Sequence, residues 1–209
     1  MKKPTLNTFT HNDYEILKRE VLYEGVFRMV RLQLRFRLFD GSQSDIVLRE
    51  LMERQSAVAV LPYDPVTDKV MLIEQFRPGA LANPQSPWLL EVIAGIIKPA
   101  EKMTEVAIRE AKEEAGCNLL NLYRIHEYFV SPGGCNEYLH LYCGQMDAST
   151  VEGDYGLKEE NEDIHTIILP ADEAFILLQE GKIKTSPAII SLQWLQLNRE
   201  WLRQLWQKN

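Results

Sequence analysis

Between positions 30 and 38 apolar and polar residues alternate without a break: Val30, Leu32, Leu34, Phe36 and Leu38 against Arg31, Gln33, Arg35 and Arg37. A period of two predicts a strand with one face covered. The turn sequence FDGSQ follows, and residues 45–51 can pair back as a hairpin. Its polar face carries arginines, for which a solvated sheet face is the plain explanation. SAVAVLPYD and KVMLIEQF, joined by PVTD, are nearly continuous apolar runs and predict a second hairpin covered on both faces. RPGALANPQSP reads as a loop, and WLLEVIAG resumes a strand that runs into Gly95. Residues 104–115 read as a helix that puts Ala107, Ile108, Ala111 and Ala115 on one side and ends at Gly116 as its left-handed C′ residue. Strand-like runs recur at 122–130, 138–143 and 164–169, and a short helix fits 172–180. Ser186-Pro187 opens a long helix to about Trp206, with Pro at its first turn. Its stripe of Ile190, Trp194, Leu197, Trp201 and Leu205 is expected in the core or at a subunit interface rather than on a membrane, because its polar face is not basic. The order of elements predicts a mixed sheet sandwiched between helices.

Composition adds limits rather than an activity. The chain has 209 residues, 45% hydrophobic and 25% charged, with a net charge of −7. A global negative charge gives no field for nucleic acid, so an anionic substrate needs local arginines or metal ions. Cys117, Cys135 and Cys143 follow no metal-ligand spacing. Lys2 and Lys3 are followed by no apolar signal core, and no run approaches the roughly 18–20 residues of a membrane span. The expected compartment is the reducing cytoplasm.

One stretch breaks a local rule. In REAKEEAG, Glu110, Glu113 and Glu114 lie in the last two turns of the predicted helix. There the macrodipole disfavours acid by roughly 0.3–1 kcal/mol per carboxylate, and Glu110 and Glu114 repel at i,i+4. A solvated face is the ordinary fate of such a run. Set against that, local rules are broken most often at functional sites, and three carboxylates on one helix side suit a hard cation such as Mg²⁺.

The wider spacing decides between these readings. GIIKPAEKMTEVAIREAKEEAGC, residues 95–117, resembles the Nudix box, G-x5-E-x7-R-E-U-x-E-E-x-G-U with U a bulky apolar residue. Gly95, Glu101, Arg109, Glu110, Glu113, Glu114 and Gly116 all match, and Ala111 and Cys117 are smaller than usual at the U positions. At typical residue usage, seven fixed letters coincide by chance about once in 10⁸ starting points. SPGG at 131–134, EQFR at 74–77 and EENEDI at 159–164 further resemble the bacterial ADP-ribose pyrophosphatase branch of the family.

The resemblance implies an α+β Nudix fold, a mixed β-sheet between α-helices, with an N-terminal antiparallel β-hairpin subdomain. It puts the subdomain at residues 1–54, where it pairs strands across a homodimer, and the hydrolase domain at 55–209. It implies hydrolysis of ADP-ribose to AMP and ribose 5-phosphate by metal-assisted attack of water, with ADP-glucose or GDP-mannose as alternative substrates. A non-catalytic ADP-ribose sensor is a weaker alternative, since the box is intact and the flanks lack a basic helix-turn-helix. Two or three Mg²⁺ ions, replaceable by Mn²⁺, are implied on Glu110, Glu114, the Ala94 carbonyl and Glu162. Glu113 ranks below these, and Arg109 is expected to pair with Glu101 rather than touch substrate. Glu160 is implied as the base. Arg77 could clamp a phosphate. Arg49, Glu50 and Arg54 match substrate-contacting positions, and Ser131, Glu137 and the backbone near Ile96 match the ribose side. Phe27 either stacks on adenine, in its own chain or the partner's, or packs within its sheet.

Overall fold

The structure is a computed structural model that describes residues 9–151, 154–156 and 163–207. Two compact units separate: one runs to Gln55 and takes in Phe129–Glu137, and the other comprises Ser56–Tyr128 and the chain from Tyr138 onward.

The first unit is an antiparallel sheet of β1 (Tyr14–Glu24), β2 (Arg28–Phe36) and β3 (Val47–Glu53), in that order. The alternation read from the sequence forms β2, and β3 pairs back on it with Val30 opposite Leu51. Strand β1 was not foreseen. It pairs along the whole of β2, but its register slips between Ile16 and Lys18 and again between Val21 and Tyr23. Each slip is a local break in the two-residue period, which removes the signal that reveals a strand. The arginines of the polar face are paired across strands, Arg31 with Glu50 at 3.0 Å, Arg35 with Glu15 at 3.1 Å and Arg37 with Asp13 at 3.4 Å. That is the solvated face expected of them.

The second unit is built on a mixed sheet. β4 (Ala57–Asp64) and β5 (Lys69–Phe76) start as a hairpin but pair only at Tyr63–Val70 and Asp64–Lys69. They then splay, and the segment of β6 (Trp88–Glu91) and β7 (Ile93–Ile96) fills the gap, β6 on β5 and β7 on β4. WLLEVIAG is therefore two strands, divided at Val92, where the sequence suggested one. On its other edge β4 pairs in parallel with β9 (Tyr138–Gln145), followed by β8 (Asn121–Phe129). Beyond β5 lie β11 (Ile164–Pro170) and the short β10 (Asp154–Tyr155).

Both faces of this sheet are covered, as the unbroken apolar runs predict. Along β4, Ala57, Ala59, Leu61 and Tyr63 enter the cluster that holds α2 (Ala171–Gln179) and α3 (Ser186–Gln207). Val58 and Val60 enter the opposite cluster, with Val106, Ala107, Ala111 and Ala115 of α1 (Met103–Ala115). The small alanine face of α1 lets the helix approach the sheet closely. Helix α3 follows the stripe read from the sequence only in part: Ala188, Leu192, Leu195, Leu202 and Trp206 form the buried line and Ile190 and Trp194 pack against its margin, while Leu197 is 86% exposed. Trp194 stacks on Tyr123 with centroids 5.4 Å apart, and Trp201 meets the same ring edge-on at 5.0 Å. Two apolar stripes run along one helix, and only the sheet beneath selects between them. No helix among the described residues is long and apolar enough to cross a membrane.

Candidate active site

The site begins where the splayed hairpin lets β7 run beside α1. Gly95 belongs to β7, and a Cβ built on it would fall on the Glu110 carboxylate. The Glu110 carboxylate therefore occupies the volume a side chain at position 95 would need. One residue earlier, the Ala94 N–H donates to Glu114 Oε2 at 3.2 Å, and Glu114 is buried. In an extended strand the N–H and C=O of a residue leave on the same side, so the Ala94 carbonyl also lies on the Glu114 side of β7. Ala94, Glu110 and Glu114, drawn together by the sequence motif, thus meet in space.

Arg109 organises the acids around them. Its Nη1 donates to Glu110 Oε1 at 2.8 Å and to Glu113 Oε2 at 3.0 Å, and its Nη2 donates to Glu101 Oε2 at 3.3 Å. Its Nε, buried without a hydrogen bond, is 3.3 Å from Glu101 Oε1. The expected Arg109–Glu101 pair is present, as part of a wider hub. Glu101 is held in turn by the Lys98 N–H at 2.9 Å. That amide, more than Arg109, keeps the Glu101 carboxyl below its usual range. Glu110 moves the opposite way: burial raises its carboxyl above the ordinary value despite the pull of Arg109. A half-buried carboxylate with a raised pKa, set beside the buried Glu114 carboxylate and a carbonyl, suits a divalent cation, which would restore the ionised form. The residues fit the metal that the motif implies. Among the described residues no three Asp, Glu, His or Cys side chains are gathered as a ready cage, and the Arg109 guanidinium bonds to both Glu110 and Glu113. Glu160 and Glu162 lie outside the described residues.

Of the substrate candidates in this unit, Arg77 follows β5, and its guanidinium meets Glu91 of β6, with Nε at 2.9 Å and Nη2 at 2.7 Å from Oε2. A cavity of about 450 Å³ opens there, lined by Arg77, Gly79, Ala80, Asn83, Leu89, Glu91 and Lys184. Ile96, at the end of β7, is 46% exposed. Glu91 and its neighbour Gln75 were not singled out from the sequence. The available signal was a lone glutamate inside the apolar run WLLEVIAG.

The other candidates belong to the first unit. The Arg54 guanidinium lies over the Phe27 ring at 5.0 Å and donates to Glu137 Oε2 at 2.9 Å, so these three are brought together. Ser131 opens a turn, its carbonyl accepting from the Gly134 and Cys135 amides. Arg49 and Glu50 are adjacent in β3 and so point to opposite faces. Glu50 pairs with Arg31, and Arg49 Nη1 donates to the Leu48 carbonyl.

The splayed strands, the glycine against the helix and the carboxylates beneath it are the parts of a Nudix site. The chain belongs to the Nudix family: the NUDIX domain model matches residues 53–192. Two bacterial enzymes are similar to it over nearly their whole length. It is 45% identical over 204 residues to the ADP-ribose pyrophosphatase of Haemophilus influenzae, covering 96% of this chain and 94% of the relative. It is 43% identical to the ADP-ribose pyrophosphatase of Escherichia coli K12, covering 95% of each. The GDP-mannose pyrophosphatase of Yersinia enterocolitica is 30% identical, over 88% of this chain and 95% of that one. Among solved structures, an ADP compounds hydrolase matches the fold with a TM-score of 0.69 at 22% identity, covering 95% of this chain and 98% of the other.

Proposed function

We propose that this chain is an Mg²⁺-dependent ADP-ribose pyrophosphatase that hydrolyses ADP-ribose to AMP and ribose 5-phosphate. The observation that carries the reading is the packing of Glu110 into the space above Gly95, with Glu114 on the Ala94 amide. Glu110, Glu114, the Ala94 carbonyl and Glu162 would hold two or three ions, with Mn²⁺ able to replace Mg²⁺. When bound, such ions supply positive charge to a diphosphate and acidify a water ligand. The chain's own residues do the rest. Glu160 takes the proton of the attacking water. Arg77 binds a phosphate oxygen pair with its fork of N–H groups. Arg109, anchored by Glu101, sets the Glu110 rotamer. Phe27, Arg49, Glu50, Arg54, Ser131, Glu137 and the backbone at Ile96 recognise the nucleoside and ribose ends, in their own chain or a partner's. Residues 1–54 serve as the dimerisation subdomain and 55–209 as the hydrolase domain. An enzyme with three unbridged cysteines is suited to the reducing cytoplasm.

Purified protein with Mg²⁺, assayed against ADP-ribose, ADP-glucose and GDP-mannose, tests this directly. ADP-ribose should give the highest kcat/KM. GDP-mannose in first place would transfer the reading to the second kind of relative, and no turnover of any of the three would remove it. Glu160→Gln should lower kcat by at least ~10² with metal binding intact, and near-normal turnover would take Glu160 out of the role of base.

A further inference from the structure

Glu91 is a carboxylate where an apolar residue would be expected. It ends β6 inside the run WLLEVIAG, is 8% exposed, and sits opposite Ile73, a residue of the core cluster under α1. Burying a carboxylate is costly unless its oxygens are met by donors. Here three N–H groups converge on one oxygen, Oε2: Gln75 Nε2 at 3.1 Å, Arg77 Nε at 2.9 Å and Arg77 Nη2 at 2.7 Å. Replacing all of them by packed leucines would avoid the cost altogether, so the arrangement asks for a purpose beyond stability.

Its direction supplies one. Glu91, Ile93 and Gly95 lie opposite Ile73, Val60 and Val58, all of the cluster under α1, so the three share the sheet face that α1 covers. The chain reverses at Val92: β6 runs along β5 toward the β4–β5 turn and β7 runs back along β4, so Glu91 and the glycine that seats Glu110 lie on the two arms of one reversal in the same sheet. The Arg77 guanidinium has five N–H groups in a planar fork. Glu91 takes one edge, Nε and Nη2. The second edge, formed by Nη1 and Nη2, has no further partner among the described residues, and Arg77 lines the cavity there. Lys184, the other cation of that cavity, is already engaged, its ammonium 2.9 Å from Asn83 Oδ1 and 2.7 Å from Gln85 Oε1. Arg77 is thus the cation held rigid on one edge and open on the other.

We propose that Glu91, supported by Gln75, is a positioning residue that presents the open edge of Arg77 to the diphosphate of the substrate. This inference rests on the pyrophosphatase reading above. Glu91 itself touches no substrate; it acts by removing the rotamer freedom of a long side chain before the anion arrives.

A double-mutant cycle separates positioning from mere structural support. Glu91→Gln should raise KM by ~10-fold and change kcat by less than ~3-fold, since it weakens binding without touching the reacting atoms. Arg77→Ala should raise KM at least as much. In the Arg77→Ala background, Glu91→Gln should add less than ~2-fold, because its target is gone. Factors that multiply would overturn the proposal, as would a wild-type KM for Glu91→Gln. Should Glu91→Gln not fold, Gln75→Leu replaces it: a KM rise of ~3-fold that vanishes in the Arg77→Ala background is expected. A rise that persists there, or no rise in the enzyme that keeps Arg77, sinks the idea. The cycle is run on ADP-ribose and on GDP-mannose. Both carry a diphosphate, so a preference for GDP-mannose would end the ADP-ribose reading while leaving the Glu91–Arg77 coupling measurable.

Discussion

In β1 none of eleven residues is buried, and Val30 is the single buried residue of all three strands of its sheet. In β4 all eight residues are buried. Both regions are strands, but apolar and polar side chains alternate along β2 while β4 is apolar at nearly every position. They differ in what lies above those side chains. The central sheet has helices on both faces. The N-terminal sheet leaves Ile16 50%, Val21 45% and Tyr23 62% exposed, and balances its polar face with ion pairs that are individually worth little at a surface. A three-stranded sheet with so small a core needs cover to be stable, and we propose a second copy of the chain. The difference teaches that alternation makes a strand, while burial is conferred from outside it.

The largest test of this contrast lies at the functional end of the central sheet. Gly95→Ala puts a methyl group where Glu110 sits. The Glu110 carboxylate is the flexible end of a side chain and can swing aside, so the fold should survive with a loss of about 1 kcal/mol or less. Turnover should fall by ~10² or more, because the proposed metal ligand has moved. Normal turnover in Gly95→Ala would undo the assignment of Glu110. Next, Leu141→Ala, which opens a void in the fully buried core, should cost ~3 kcal/mol in chemical denaturation. Ile16→Ala in the exposed sheet should cost ~0.5 kcal/mol or less at high dilution, and should weaken self-association measured by sedimentation. Equal costs for the two substitutions would erase the contrast, and a wild-type chain that stays monomeric at high concentration would remove the second copy as the cover.

Two smaller effects sharpen the box itself. Ala100 has φ of 69°, a left-handed conformation, one residue before Glu101, whose N–H donates to the Lys98 carbonyl. Pro99 and Ala100 are the middle of this turn, and its third position is one that glycine favours. Ala100→Gly should relieve ~1 kcal/mol or less, since the added freedom of the unfolded chain offsets part of the gain. A lowered melting temperature would contradict this. Glu110 provides the smallest effect. Burial raises its folded carboxyl above the ordinary 4.5, so the native state binds the proton more tightly than the unfolded chain. The stability of the metal-free protein should then fall as pH rises from about that ordinary value through the raised one. Glu110→Gln should flatten this part of the profile; an unchanged slope would assign it to another group.

Much of this molecule is legible one element at a time. The seven letters of the box, the alanine face of α1 and its stop at Gly116, with φ of 57°, and the doubly apolar runs of β4 and β5 are all local patterns. The spacing of the box led to the family, and the resemblance in turn implied Ala94, Glu110 and Glu114. The rest depended on residues far apart in the chain. Bulges hid β1 until β2 lay beside it, and α3 carried two apolar stripes until the sheet chose one. Arg109 proved to be the hub of three carboxylates, and Glu91 met Arg77 only because β6 entered the splayed hairpin. Periodicity is a property of neighbours a few residues apart, so it specifies elements and motifs. Which face is covered, and which charge meets which, is set by the packing of elements against one another.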